Sequence, residues 1–297
     1  MSGRVVSLDG ALLTPEEAKV SVYDRGFLYG DAVFEVLRTY GGRPFALDEH
    51  LARLRRSAER VFIVLPVGEA VLGREVEAAV GAARRDAGGE AYVRIVVTRG
   101  SGPLSLDPDT ASRPLRVILV EPVAPPPREA YARGIAVALV ATRRAADDTA
   151  ASGAKVTNYL ANLLAVREAR ARGAVEALIV DARGHVVEGA SSNVFVVHAG
   201  RIATPPESAG ILAGITRAHV LRAARELGVP VDERELSRAD LTGADEVFVT
   251  SSIRELLSVV RVDDHAVGDG APGPVARALH RRFRESAGVG GEPMPWD

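Results

Sequence analysis

Between Ala177 and Thr204 the chain runs through consecutive hairpins. On either side of this stretch, strands and helices follow one another without the regular strand–helix–strand repeat of a doubly wound sheet. That order predicts a mixed α/β protein. In the first third, "RVVSLDGALL" and "VFEVLRTYGGRPFAL" read as strands about glycine-rich turns. "LDEHLARLRRSAERVFI" sets Leu47, Leu51, Leu54, Ala58 and Val61 at helical spacing. A second helix, "GEAVLGREVEAAVGAARRDA", is stopped near Gly88 and Gly89. "EAYVRIVVTRG" and "RPLRVILVEPV" read as buried strands. Later come a strand at Ile135–Ala141, a helix behind Lys155 and a helix starting near Thr216. The strand "EVFVTSS" and a C-terminal helix at "PGPVARALHRRFRE" follow.

A chain of 297 residues is long enough for roughly two domains. Consecutive prolines in "VAPPPREAYARG" favour an extended connector, so residues 1–122 are expected to form one domain, 123–134 a linker and 135–297 a second domain. The formal net charge of −2 and the lack of a long basic stripe argue against nucleic acid or an anionic membrane as partner. Zero cysteines exclude disulfides, thiolate nucleophiles and cysteine-ligated metals, and the six histidines show no metal-pair spacing, so no metal is expected. No apolar run approaches the ~18–20 residues of a membrane helix, and the start of the chain has no secretory pattern. A cytoplasmic enzyme is the expectation.

Of the 37 Lys and Arg residues only Lys19 and Lys155 are lysine. Lysine, unlike arginine, can lose its proton on desolvation and condense with a carbonyl. Lys155, ahead of an apolar helix, is therefore either a Schiff-base lysine or a surface residue of the kind Lys19 represents. The first alternative suggests pyridoxal phosphate, which needs a phosphate cup and an acid for its pyridine nitrogen. "GILAGITRAHVLRAARELG" offers a cup: Gly214 allows close approach, and Ile215 and Thr216 open a helix where anions bind. The same residues also read as a plain threonine cap. "TSSIREL", from Thr250 to Leu256, is either a further hydroxyl donor set or an ordinary turn. Glu188, before Gly189 in "HVVEGASSNVF", is either the acid or an exposed strand end.

Lysine, acid, Gly-Ile-Thr and hydroxyl turn, in that order, resemble the fold-type IV (class IV) pyridoxal-phosphate enzymes: branched-chain aminotransferases, D-amino-acid transaminases and aminodeoxychorismate lyase. The likeness runs from "DRGFLYGDAVFEVLR" at Asp24 to "GDGAPGP" near Gly270. It implies a small α/β domain and a larger pseudobarrel domain, with the cofactor between them and a homodimer completing the pocket. It assigns Lys155 to the covalent cofactor link and to movement of the α-proton. Glu188 is assigned to the pyridine nitrogen, Arg53 in "HLARL" to the phosphate and Tyr159 to the region of the phenolic oxygen. Ile215, Thr216, Ser251 and Ser252 are assigned to the phosphate cup, with Ser252 standing where relatives carry threonine.

For substrate, the resemblance implies a pocket of Tyr29, Phe34, Tyr92, Arg94, Ile253 and Arg254, with Arg94 suited to bidentate pairing with a carboxylate. The implied reaction is transfer of an amino group between an amino acid and a 2-oxo acid, most like the branched-chain enzymes. The alternatives are a D-amino-acid or (R)-amine transaminase, the lyase, or a binding protein that keeps the fold without catalysis. Common D-enzymes carry an arginine and a histidine in the loop after "TRG". Here "TRGSGPLSLDP" holds neither past Arg99, leaving Arg25 or Arg254 to take a carboxylate.

Overall fold

A computed structural model describes residues 3–87, 89–111, 113–142, 149 and 151–297, so the expected helix stop at Gly88 lies outside the described residues. The chain divides into two compact units. The first comprises Met1–Ala124 with Asp148–Asn158, the second Pro125–Asp147 with Tyr159–Asp297.

The first unit contains β1 (Val5–Leu8), β2 (Ala11–Leu13), α1 (Arg25–Tyr29), β3 (Ala32–Tyr40), β4 (Arg43–Pro44), α2 (Leu47–Arg60), α3 (Glu69–Ala87), β5 (Ala91–Thr98) and β6 (Leu115–Pro122). The strands form an antiparallel sheet in the order β2-β1-β6-β5-β3-β4. Period-two alternation gives the sheet two unlike faces. Val33, Leu37, Val93, Ile95 and Val97 point at α2 and α3, where they meet Leu51, Leu54, Leu72 and Val76. The register Phe34↔Val96, Val36↔Arg94 and Arg38↔Tyr92 puts Phe34, Tyr92 and Arg94 together on the opposite face.

The second unit contains α4 (Arg128–Arg133), β7 (Ile135–Ala141), α5 (Leu160–Ala171), β8 (Glu176–Val180), β9 (His185–Gly189), β10 (Asn193–His198), β11 (Arg201–Thr204), α6 (Ile215–Glu226), β12 (Val231–Glu233), β13 (Leu236–Ser237), α7 (Arg238–Thr242), β14 (Glu246–Ser251), β15 (Glu255–Val262), β16 (His265–Ala266) and α8 (Pro274–Ser286). Its sheet runs β12-β11-β10-β14-β15-β7-β8-β9-β13, with β16 on β15. Val137, Leu178, Val186, Val196, Ala203, Leu236, Val247 and Val259, from strands spread across that order, share one buried cluster. The sheet therefore curls around its inner face. On the outer face the opposed pair Phe195 and Phe248 stack at 4.8 Å and pack with Val220 and Leu221 of α6 and Leu279 of α8. Both faces of β10 and β14 are thus covered, which is why "NVFVV" and "EVFV" read as unbroken apolar runs.

The division differs from the sequence expectation in two places. Residues 123–134 are more than a linker: Pro127 precedes α4, and Tyr131, 5% exposed, packs into the large core. The segment around Lys155 belongs to the first unit because the backbone of Lys155, Val156 and Thr157 pairs with β3. Phe34 N–H donates to Lys155 O at 2.9 Å, Thr157 N–H donates to Ala32 O at 3.0 Å, and Val33 bridges Val156.

Candidate active site

The predicted residues fall into two sets, one in each unit. In the first unit Lys155 sits in the extended segment beside β3, its N–H donating to Ser57 Oγ at 3.1 Å. Its Nζ lies 4.5 Å from the centroid of the Phe34 ring, and the Arg94 guanidinium lies 4.2 Å from the same centroid. One buried aromatic face thus gathers the predicted amine and the predicted carboxylate-binding arginine.

Beneath this face, Glu35 points the other way and has no exposed surface. Arg53 grips it from α2, donating from Nε to Oε1 at 2.8 Å and from Nη2 to Oε2 at 2.7 Å. His50, one helical turn earlier, meets Oε2 at 2.8 Å. Burial works to raise the Glu35 carboxyl, but Arg53 and His50 together outweigh it and hold the group at about 2, below its usual 4.5. Burial pushes His50 below its usual 6.5, and the Arg53 and Lys155 charges add to this against the pull of Glu35. His50 is therefore neutral near pH 7, and with an ionised carboxylate as partner its Nδ1 carries the hydrogen.

Tyr29 ends α1 with Arg25 over its ring at 5.0 Å. Arg25 itself is committed: Nε donates to Asp31 at 2.9 Å and Nη1 donates to the Ser105 carbonyl at 2.6 Å. Arg99 makes a second, two-pronged grip on Asp31 at 2.7 and 3.0 Å. A cleft of about 1020 Å³ lined by Arg43, Leu47, Glu49, Glu77 and Arg84 is also present in this unit, and it holds none of the predicted residues.

In the second unit Glu188 is the penultimate residue of β9, with Oε2 accepting from Leu212 N–H at 3.0 Å and from Asn193 Nδ2 at 3.4 Å. Asn193 Nδ2 also donates to Leu212 O at 3.0 Å, so one amide ties the acid to the segment leading into α6. That helix has Gly214 as its N-cap and no side-chain cap, which leaves its first amides for another acceptor. A Cβ on Gly214 would overlap Asn193 Oδ1, so any other residue there would have to displace Asn193. Across the β10–β14 ladder Asn193 faces Thr250. Thr250 Oγ1, on a residue 1% exposed, has no hydrogen-bond partner among the described residues. An uncapped helix start, a glycine that admits close approach and an unsatisfied buried hydroxyl form a donor set that fits a phosphate group.

Ser251, Ser252, Ile253 and Arg254 form the turn from β14 to β15. Ser251 Oγ accepts from Arg254 N–H at 3.4 Å, and Arg254 Nη1 donates to buried Glu176. Tyr159 lies at the start of α5. Sequence reasoning passed over Glu35, His50, Asn193 and Glu176. Asn193 was within reach, since it closes "EGASSN". The others become visible only through contacts.

The sequence matches the family profile described as Amino-transferase class IV over residues 32–262. The chain therefore belongs to the class IV aminotransferases, and it has their mixed α/β fold. It is 36% identical over 280 residues to the putative branched-chain-amino-acid aminotransferase of Methanocaldococcus jannaschii, covering 94% of this chain and 95% of that one. It is 34% identical over 281 residues to the D-alanine aminotransferase of Bacillus licheniformis, covering 95% and 96%. Among solved structures, it superposes on the Escherichia coli branched-chain amino acid aminotransferase at a TM-score of 0.90, with 31% identity over 98% of this chain and 97% of the other. A T.th. branched-chain amino acid aminotransferase with pyridoxamine 5'-phosphate superposes at a TM-score of 0.88. That pair shares 32% identity over 97% of this chain and 95% of the other.

Proposed function

We propose that this transaminase uses pyridoxal 5'-phosphate and exchanges the amino group between an L-amino acid of the branched-chain type and a 2-oxo acid. The observation that carries the reading is Lys155, held by backbone pairing to β3 with its Nζ and the Arg94 guanidinium against one Phe34 ring. When bound, the cofactor supplies an aldehyde for amines and a ring that takes up electrons from the α-carbon. Lys155 would hold the cofactor through its amine, and the same amine could move the proton at the substrate α-carbon. Glu188, already oriented by Leu212 N–H and Asn193, keeps the ring nitrogen protonated. The amides of Ile215 and Thr216 take the phosphate with the hydroxyls of Thr250, Ser251 and Ser252, and Arg53, held by Glu35, lends charge. Tyr159 would donate to the cofactor's phenolic oxygen. Phe34, Tyr29, Tyr92 and Ile253 exclude water around an aliphatic side chain, and Arg94 pairs with a carboxylate.

The M. jannaschii relative supports the branched-chain reading and the B. licheniformis relative supports a D-amino acid. Two observations favour the first. The loop 98–108 lacks an arginine or histidine past Arg99, and Arg25 and Arg254, which could replace them, are engaged by Asp31 and Glu176. No helix among the described residues is long and apolar enough to cross a membrane. We place the enzyme in the cytoplasm as a homodimer acting on small amino and oxo acids. The test is Lys155→Arg, which keeps the charge and removes the nucleophile. Turnover should fall by on the order of a thousandfold or more, and a variant with wild-type turnover would remove the mechanism.

A further inference from the structure

Glu176 opens β8 with no exposed surface, yet it belongs to none of the roles above. Its Oε2 accepts from Ser191 Oγ at 2.9 Å, from Ser192 Oγ at 3.3 Å and from Arg254 Nη1. The two serines lie in the turn that follows Glu188, and the arginine ends the Ser251–Ser252–Ile253 turn. A single buried carboxylate oxygen therefore joins the loop behind the pyridine acid to the loop that carries the hydroxyls.

The rest of Arg254 is held as firmly. Its N–H donates to Ser251 Oγ at 3.4 Å, and its carbonyl accepts from Tyr131 Oη at 3.1 Å. The next residue, Glu255, is 1% exposed and has a φ of 58°, a left-handed backbone that glutamate rarely adopts. His280 Nε2 at 2.6 Å and Arg284 Nη1 at 3.0 Å secure its carboxylate from α8. Backbone strain of this kind persists where surrounding contacts over-determine it. Here the bolts fall on adjacent residues, Arg254 on β8 and Glu255 on α8.

We infer that Glu176 is a positioning residue. It fixes the Ser251–Ile253 turn through Arg254 and aligns that turn with the Ser191–Ser192 turn behind Glu188, an inference that rests on the function proposed above. Arg254 is then a brace and not a ligand for a substrate carboxylate. If its guanidinium swung to a substrate, Glu176 would remain buried with two neutral hydroxyls and no compensating charge. Arg94 has no such obligation to a buried acid among the bonds described above, and it keeps the carboxylate role.

The experiment uses the full-length protein, stripped of cofactor and titrated with pyridoxal 5'-phosphate, alongside steady-state kinetics with a 2-oxo acid acceptor. Glu176→Gln and Arg254→Met should each raise the cofactor dissociation constant by about tenfold or more through misplacement of the turn. The double variant should be no worse than the weaker-binding single variant, because both substitutions break the same contact. Arg254→Lys, which keeps a cation beside Glu176, should recover most of the affinity lost in Arg254→Met. The same Lys-against-Met comparison decides the matter if Glu176→Gln does not fold. The inference is overturned if Arg254→Met raises KM for the 2-oxo acid tenfold with cofactor affinity unchanged, or if the effects of the two substitutions add. A wild-type protein that binds no pyridoxal phosphate would instead sink the proposed function.

Discussion

At Glu35 a carboxylate without exposed surface stays ionised because two side chains of one helix, His50 and Arg53, converge on it. Its folded value of about 2 lies below the usual 4.5, so the stabilisation it gives is fully present above pH 4.5 and is lost as pH falls toward 2. At about 1.4 kcal/mol per pH unit this amounts to on the order of 3 kcal/mol. His50, also held below its usual value, acts in the same direction: the unfolded chain takes up its proton first as the solution is acidified. Acid unfolding followed by circular dichroism should thus show stability falling steeply between pH 4.5 and 2. In Glu35→Gln that segment should flatten, with lower stability at neutral pH because Arg53 is left buried without its acid. A variant with the wild-type acid limb would contradict this account of Glu35. None of this was legible in the sequence, where Glu35 is one more residue of an apolar strand. Phe34, its neighbour on the other face, was.

At the scale of elements, the start of α6 was the most readable part of the site. "LAGIT" announces a helix opening on glycine, and the structure shows a glycine N-cap with no side chain to satisfy the first amides. The reason for the glycine was not readable, because it comes from Asn193, a residue of β10 brought against Gly214 by the curl of the sheet. Gly214→Ala should force the two apart and pull the helix start away from the phosphate. We expect pyridoxal phosphate affinity to fall by about tenfold, or about 1.4 kcal/mol, with the helical content unchanged by circular dichroism. Unchanged affinity would mean that α6 does not hold the phosphate. The segment 123–134 shows the opposite limit of sequence reading. Its prolines do mark an extended entry, yet α4 follows and buries Tyr131, and nothing local to "PPPREAYARG" specifies the core it joins.

For the molecule as a whole, the alternation of strands and helices carried the fold class, and hydrophobic period carried most elements. Contacts between distant segments were out of reach. Lys155 follows the first-unit strands by dozens of residues, and its N–H bond to Ser57 spans 98 positions. Only the folded chain shows that this lysine rides on β3 with the first unit, although the helix behind it belongs to the second. The Arg254–Glu176 contact spans 78 positions and is equally silent in the sequence. What the sequence did offer was candidate chemistry: a central lysine in an arginine-rich chain, an acid before a glycine and a helix opening on glycine. The hand of the substrate turns on which arginine takes its carboxylate, and Arg94 is the one proposed above. The most direct test adds L-leucine to one sample of the purified yellow protein and D-alanine to another. Loss of the cofactor's visible absorption and release of the 2-oxo acid are followed in each. The account predicts bleaching by L-leucine alone, and that it is abolished in Lys155→Arg. Bleaching by D-alanine alone would contradict the branched-chain assignment and the role given to Arg94.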